Sequence, residues 1–268
     1  MIDRHSRQSF LGAEAPAIIQ STTIGLVGLG GGGSHIAQQL AHVGFVNFII
    51  FDPDRVEHSN LNRLVGATYH NAVDQARKSD VVERIIKAIN PEAVVASHPN
   101  RWEDGHNLLK RCDILFGCLD SIAARRDFEA FARRHLLPYI DIGLDVHQVE
   151  GAAPEMGGQV IVSMPGGPCM RCMGFITDDN LAAHAAQYGD AGIRPQVVWA
   201  NGVLASAAVG VAVDLLTDWT GALRTPVYLS YDSNRSKLEP HVRLQYLQVA
   251  ECPHYSLTEV GDLIFRPL

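Results

Sequence analysis

Apolar residues along this chain fall into two rhythms. Short continuous runs of β-branched and apolar residues, at 23–28, 46–51, 93–97, 113–118 and 138–142, read as strands covered on both faces. Between them, at 33–43, 75–89, 103–111 and 121–135, apolar positions recur at helical spacing, as Ile36, Ala37, Leu40, Ala41 and Val43 do. Strand and helix in alternation predict an α/β fold with a doubly wound, mostly parallel sheet. The rhythm changes near Gly158. Gln159 to Met164 reads as a strand and Gln196 to Thr217 as one long helix; Val227 to Tyr231 and Val242 to Val249 follow as strands with no helix between them. Those last strands are expected to pair antiparallel and extend the sheet. The long helix is apolar nearly all round and rich in small residues, so it should be buried, either inside one subunit or against a second.

No Ser/Pro-rich linker, charge block, low-complexity tract or repeat divides the chain, so residues 1–268 are read as a single domain. Its two parts are a half at about 20–145 and a C-terminal sheet extension at about 157–268. With 268 residues, 47% of them hydrophobic, one good core is affordable. A formal charge of −7 argues against a nucleic-acid surface, which needs clustered Lys and Arg. The N-terminal Met1-Ile2-Asp3-Arg4 has no signal-peptide character, and no apolar run is read as long as the roughly 18 residues of a membrane span. A cytoplasmic protein without structural disulfides is the expectation.

The chemistry concentrates between Gly28 and Arg63. Thr23 to Val27 ends in Gly28-Leu29-Gly30-Gly31-Gly32-Gly33. Gly28, Gly30, Gly31 and Gly33 allow a tight turn that brings backbone N–H groups close to a phosphate, at the positive end of the helix that follows. Asp52 closes the next strand, about 20 residues on, where the ribose-binding acid of a Rossmann-like unit belongs. Taken alone, this suits a dinucleotide dehydrogenase as well as an ATP enzyme. A triphosphate also needs cations near its β- and γ-phosphates and a carboxylate for magnesium. Asp54 and Arg63 lie on the loop after Asp52, Lys78 opens the next helix, and Asp120 ends the strand Ile114 to Cys118. Each alone reads as a solvated charge. Together, at the carboxyl ends of successive parallel strands, they read as a nucleotide site.

These residues resemble the adenylating enzymes related to ThiF and MoeB, which include the activating enzymes of ubiquitin and its relatives. The likeness runs from Arg4 to about Cys252. Arg4-His5-Ser6-Arg7-Gln8 is similar to a signature whose second arginine, here Arg7, reaches the ATP of the partner subunit. Ser59-Asn60-Leu61-Asn62-Arg63 matches the signature whose Asn, here Asn60, and Arg contact phosphates. Lys78 lies the family's distance before Ile89-Asn90-Pro91. Leu119-Asp120-Ser121 with Arg125 resembles the family's Thr-Asp-Asn…Arg segment, with Ser121 in place of Asn, which should weaken one polar contact. The resemblance implies a homodimer that uses ATP and Mg²⁺, with the metal on Asp120. It implies activation of the C-terminal carboxylate of a ubiquitin-like or sulfur-carrier protein ending in Gly-Gly, as an acyl-adenylate. A conjugating enzyme or a sulfurtransferase would act downstream. No general base is needed, because a carboxylate is already ionised at neutral pH. Two other readings stay open: adenylation of a peptide or small-molecule carboxylate by the same ATP site, and a dehydrogenase or non-enzymatic nucleotide-binding subunit. Arg63, Lys78 and Asp120 argue against the last.

Five cysteines are present. Cys112 and Cys118 flank a strand and read as inert core residues. Cys169-Met170-Arg171-Cys172 has the gap that lets two thiolates share one zinc. The family often completes such a structural Zn²⁺ site with a second cysteine pair near the C-terminus; here Cys252 and His254 would do so, although one intervening residue is tight. A redox pair or a vestige are the alternatives. Many relatives pass the acyl group to a cysteine before the long helix. Met173 to Pro195 contains none, and Tyr188 stands about where it would lie, so the acceptor is expected on another protein. No histidine sits in a nucleophilic triad pattern.

Overall fold

In the computed structural model β1 (Thr23–Val27) is an interior strand of the sheet, where Ile24, Leu26 and Val27 are all buried. The structure describes residues 5–148, 151–187, 195–222, 226–247, 252–255 and 260–261. Tyr188, Arg4 and residues 248–249 lie outside this set. A 3-10 turn at Ser6–Leu11 and α1 (Ala15–Ser21), which carries a proline in its first turn, precede β1. α2 (Gly31–Val43) begins within the glycine run itself and ends at Gly44, whose φ of 115° stops the helix. β2 (Asn47–Phe51) follows.

The helix expected over 75–89 starts three residues later, as α4 (Lys78–Ile89), and a short helix with no counterpart in the sequence reading, α3 (Tyr69–Val73), precedes it. Gln75 lies between them at φ 48°, and Arg55 bridges to Arg77 just before α4 starts. A left-handed residue cannot continue a right-handed helix. After β3 (Val94–His98), the segment 103–111 is divided into a 3-10 turn at Trp102–Gly105 and α5 (His106–Leu109). β4 (Ile114–Gly117), α6 (Ile122–Arg134) and β5 (Tyr139–His147) complete the parallel half.

β5 then pairs antiparallel with β6 (Glu155–Ser163), so both strands run longer than their apolar cores suggested. α7 (Asp178–Gln187) and α8 (Val198–Thr217) follow, then β7 (Tyr228–Asp232) and β8 (Lys237–Pro240). The strand order is β3-β2-β1-β4-β5-β6-β7-β8; β1 to β5 pair parallel and the last three pairings are antiparallel. The expected antiparallel extension is therefore present, with one correction. Over its described residues, the strand expected at Val242 to Val249 is instead a 3-10 turn, Val242–Tyr246. Pro240 ends β8, and the His241 ring accepts the Arg243 N–H at 3.1 Å, which caps the turn instead. The last strand among the described residues, β8, is exposed at every residue and carries no run of apolar positions.

One face of the sheet is covered by α1, α2, α4 and α8, and the other by α5, α6 and the Met170–Ile176 loop. α8 is long and apolar enough to cross a membrane by length and composition, which the reading of the sequence did not anticipate. It packs against α2, β5 and β6 as a core helix does, burying Ala200, Leu204, Ala205, Ala208 and Ala212. Its other face, with Trp199, Val203, Ser206 and Gly210, is exposed.

Candidate active site and metal cluster

Because the chain leaves β1 toward β2 and β3 and returns to place β4 on the other side, a crevice opens at the carboxyl ends of β1 and β4. A cavity of about 440 Å³ fills it, lined by Gly28, Gly30, Gly31, Gly32, Asp52, Asp54, Arg63, Lys78 and Asp120 among others. The glycines divide the work. Gly28 has φ 86°, and a Cβ on it would lie 2.3 Å from the Cys118 carbonyl oxygen. A Cβ on Gly33 would lie 1.9 Å from the Gly28 oxygen, so Gly33 serves close helix–strand packing and is not among the cleft residues. Around Gly30 the space is open. No side chain caps α2, which leaves the first-turn N–H groups to an anionic ligand.

Asp52 is 5% exposed and ties two loops together: one carboxylate oxygen accepts the Leu29 N–H at 2.6 Å and the other the Asp54 N–H at 2.8 Å. Burial pushes its carboxyl above the usual range, and the charge of Lys78 pulls the other way. Each oxygen keeps a lone pair for a ribose hydroxyl. Lys78, mostly buried, pairs with exposed Asp54 at 2.8 Å and donates its backbone N–H to the Asp54 carbonyl at 3.0 Å. Arg63 reaches the cleft with one guanidinium nitrogen on the Ser59 carbonyl at 2.6 Å and on Asn62 at 3.0 Å. Asp120 lies exposed just past β4. Asn60 is buried outside the cleft, its side-chain oxygen accepting the Glu57 N–H at 3.1 Å; it shapes the loop that carries Arg63. Arg7 is exposed in the N-terminal 3-10 turn and does not reach this chain's own cleft.

Several cleft residues escaped the reading of the sequence. Asn100 to Glu103, including Trp102, line the cleft, as do Phe175, Gln196 and Asn201. Asn201, a polar residue in the first turn of an apolar helix, was the legible signal: it is 4% exposed and packs against Gly31. Beneath the floor, fully buried Asp141 accepts hydrogen bonds from Arg125, from the Tyr139 hydroxyl at 2.7 Å and from Gln159 at 3.3 Å. Arg125 also donates to the Ile142 carbonyl at 2.9 Å. Burial raises the Asp141 carboxyl while the Arg125 charge opposes it. Ser121, in place of an Asn, accepts the Ala124 N–H at 3.0 Å and caps α6.

The cysteines separate as expected. Burial pushes the Cys112 thiol up to about 12, and raises the Cys118 thiol beneath the glycine turn as well. Neither is a ready nucleophile. Cys169, Cys172, Cys252 and His254 come together with their ligand atoms within 4.8 Å of one another. Cys172 Sγ lies 3.7 Å from both Cys169 Sγ and Cys252 Sγ, and His254 Nδ1 lies 3.5 and 3.4 Å from the first two cysteines. A tetrahedral zinc with bonds of about 2.3 Å to sulfur sets the sulfurs roughly 3.8 Å apart, so this donor set fits one zinc. The turn at 252–255 makes the tight Cys-x-His spacing workable through Nδ1.

A family model described as "ThiF family" matches residues 2–253. Among curated proteins, the chain is 29% identical over 178 residues to the SAMP-activating enzyme E1 of Haloferax volcanii, covering 64% of this chain and 62% of that protein. It is 28% identical over 236 residues to the adenylyltransferase and sulfurtransferase UBA4 of Yarrowia lipolytica, covering 86% of this chain and 55% of that one. The chain thus spans less than two thirds of these relatives' length. Among solved structures, E. coli MccB with ATP superimposes with a TM-score of 0.70 at 19% identity, over 90% of this chain and 71% of that one. PaaA gives 0.70 at 17%, over 89% and 81%. At such identities these two show a shared fold.

Proposed function

The chain belongs to the ThiF family, and from that premise we propose that it is a Mg-ATP-dependent adenylyltransferase. In this reading it activates the C-terminal carboxylate of a ubiquitin-like or sulfur-carrier protein as an acyl-adenylate, in the cytoplasm. The observation that carries the reading is the gathering of the glycine turn, Asp52, Arg63, Lys78 and Asp120 around one cleft at the sheet's switch point. A carboxylate approaching the α-phosphate meets an anion, so the barrier is set by charge repulsion and positioning. Asp52 would orient the ribose, and the N–H groups of the glycine turn would hold the phosphates. Arg63 and Lys78 would offset the charge on the triphosphate and on the departing pyrophosphate. Asp54 keeps Lys78 aimed into the cleft before ATP arrives. Asp120 would hold magnesium, which when bound supplies further positive charge to the phosphates.

The four-donor cluster is assigned to a structural zinc. A homodimer completes the scheme, with Arg7 of each subunit serving the other's cleft; its exposure away from its own cleft is consistent with that. The acyl group would pass to a thiol on another protein, a sulfurtransferase or a conjugating enzyme. Three of the five cysteines lie in the cluster, and burial disfavours the thiolates of the other two.

Calorimetry should show Mg-ATP binding in preference to NAD; comparable affinity for NAD with none for ATP overturns the proposal. Isotope exchange of pyrophosphate into ATP, screened against proteins ending in Gly-Gly, then identifies the acyl substrate. Exchange supported by a peptide acid, and by no such protein, would assign the cleft to peptide adenylation. With a working carrier, a non-reducing gel should show no thioester to this chain. A reductant-sensitive adduct lost on changing one of its cysteines would overturn the external acceptor.

A further inference from the structure

The cluster draws its ligands from two segments far apart in the chain, with Cys172 and Cys252 separated by 80 residues. Something must hold both in place, and the same two side chains on α6 touch both. Glu129, fully buried, accepts the Met170 N–H at 2.8 Å with one carboxylate oxygen and the Tyr255 hydroxyl at 3.4 Å with the other. Met170 is the residue after Cys169, and Tyr255 the residue after His254. Arg133, one helical turn further along the same face, donates to the Met164 carbonyl and, at 2.7 Å, to the Gly167 carbonyl of the first segment. Its guanidinium also lies 5.4 Å from the centroid of the Tyr255 ring in the second. Two neighbouring buried side chains on one helix face thus each touch both halves of the cluster.

We propose, on the zinc assignment above, that Glu129 and Arg133 are positioning residues for the metal. They form a template on α6 that sets the Cys169–Cys172 turn and the Cys252–His254 turn at ligand distance before zinc arrives. Partners of this kind that orient metal ligands are typically worth about 10–100-fold in metal affinity. Glu129 acts here by geometry. A glutamine can reproduce both bonds, its carbonyl accepting the Met170 N–H and its amide donating to the Tyr255 oxygen.

The test measures zinc affinity on the full chain by competition with a chromophoric chelator, beside the melting temperature of each variant. Wild type should hold one zinc per chain. Glu129→Ala should bind it about 10–100-fold more weakly, while Glu129→Gln stays close to wild type. Phe128→Leu, a buried neighbour on α6 that packs against Trp102 and Tyr139 instead, should lower the melting temperature and leave zinc affinity unchanged. Should Glu129→Ala not fold, Tyr255→Phe removes only a hydroxyl and should weaken zinc in the same direction. Wild type without zinc overturns the metal assignment itself. Zinc in the wild type, with affinity unchanged in Glu129→Ala or in Tyr255→Phe, overturns the template alone.

Discussion

Gly33 admits no side chain, because the first atom added would overlap the Gly28 oxygen at 1.9 Å. Gly33→Ala must therefore push α2 away from the end of β1, at a cost of about 1–3 kcal/mol, and with it the N–H groups that face the cleft. Urea unfolding should show that loss, and calorimetry a weakened Mg-ATP affinity. Asp141 makes a larger demand. Asp141→Ala would leave the buried Arg125 guanidinium without its carboxylate partner, which costs about 3–5 kcal/mol, whereas an exposed carboxylate such as Glu92 should be replaceable with no measurable change. These two positions mark what can be read from a sequence at this scale. The placement of Asp52, Lys78 and Asp120 around the cleft was legible because Asp52 and Asp120 follow strand ends and Lys78 opens a helix, whereas Gly33, read as part of the phosphate turn, proved to serve packing. Asp141 was not, since in sequence it is one polar residue inside an apolar strand, and its partners Arg125 and Gln159 lie 16 and 18 residues away. Asn60 was legible as a motif but not in its role, because hydrogen bonding to its own loop is set by local geometry.

Long elements whose burial matches their polarity pattern could be read, and β1, β2, β4, α2, α6 and α8 all stand where periodicity put them within a few residues. Short, exposed or interrupted elements could not. α4 looked longer because nothing in Gln75 to Arg77 forbids a helix except the left-handed conformation that Gln75 takes up in the fold. β8 was invisible because the outermost strand of the sheet needs no apolar face. α6 joins the two functional regions: its N-terminus opens beside Asp120, and its later turns hold the cysteine loop. Ser121 starts that helix by capping it, so the Ser-for-Asn replacement preserves a competent cap instead of only weakening a contact. Ser121→Ala should cost about 1 kcal/mol of stability, readable in thermal or urea unfolding, and Ser121→Asn should restore it.

The whole molecule is expected to work as a pair. If Arg7 serves the neighbouring cleft, Arg7→Ala and Asp120→Ala should each be inactive alone, yet regain activity when mixed, because one site of each heterodimer then has an intact Asp120 and the partner's arginine. No recovery, with subunit exchange verified, would place Arg7 outside any shared site. The exposed stripe of α8 with Trp199 and Val203 offers apolar area for such a contact, a use that the helix's all-round apolar character left open. Zinc extraction should lower the melting temperature of the intact chain, since a structural zinc contributes folding free energy directly. The spacing of its ligands also fixes a moment in the life of the molecule. A growing chain presents Cys169 and Cys172 while Cys252 is still to be made, 80 residues later, and two thiolates alone are an incomplete tetrahedral set. Strong capture of the ion therefore has to wait until His254 has left the ribosome. By then every described strand and all the residues lining the cleft have already been synthesised, so a tightly held zinc would mark a chain whose sheet and cleft have had their chance to form.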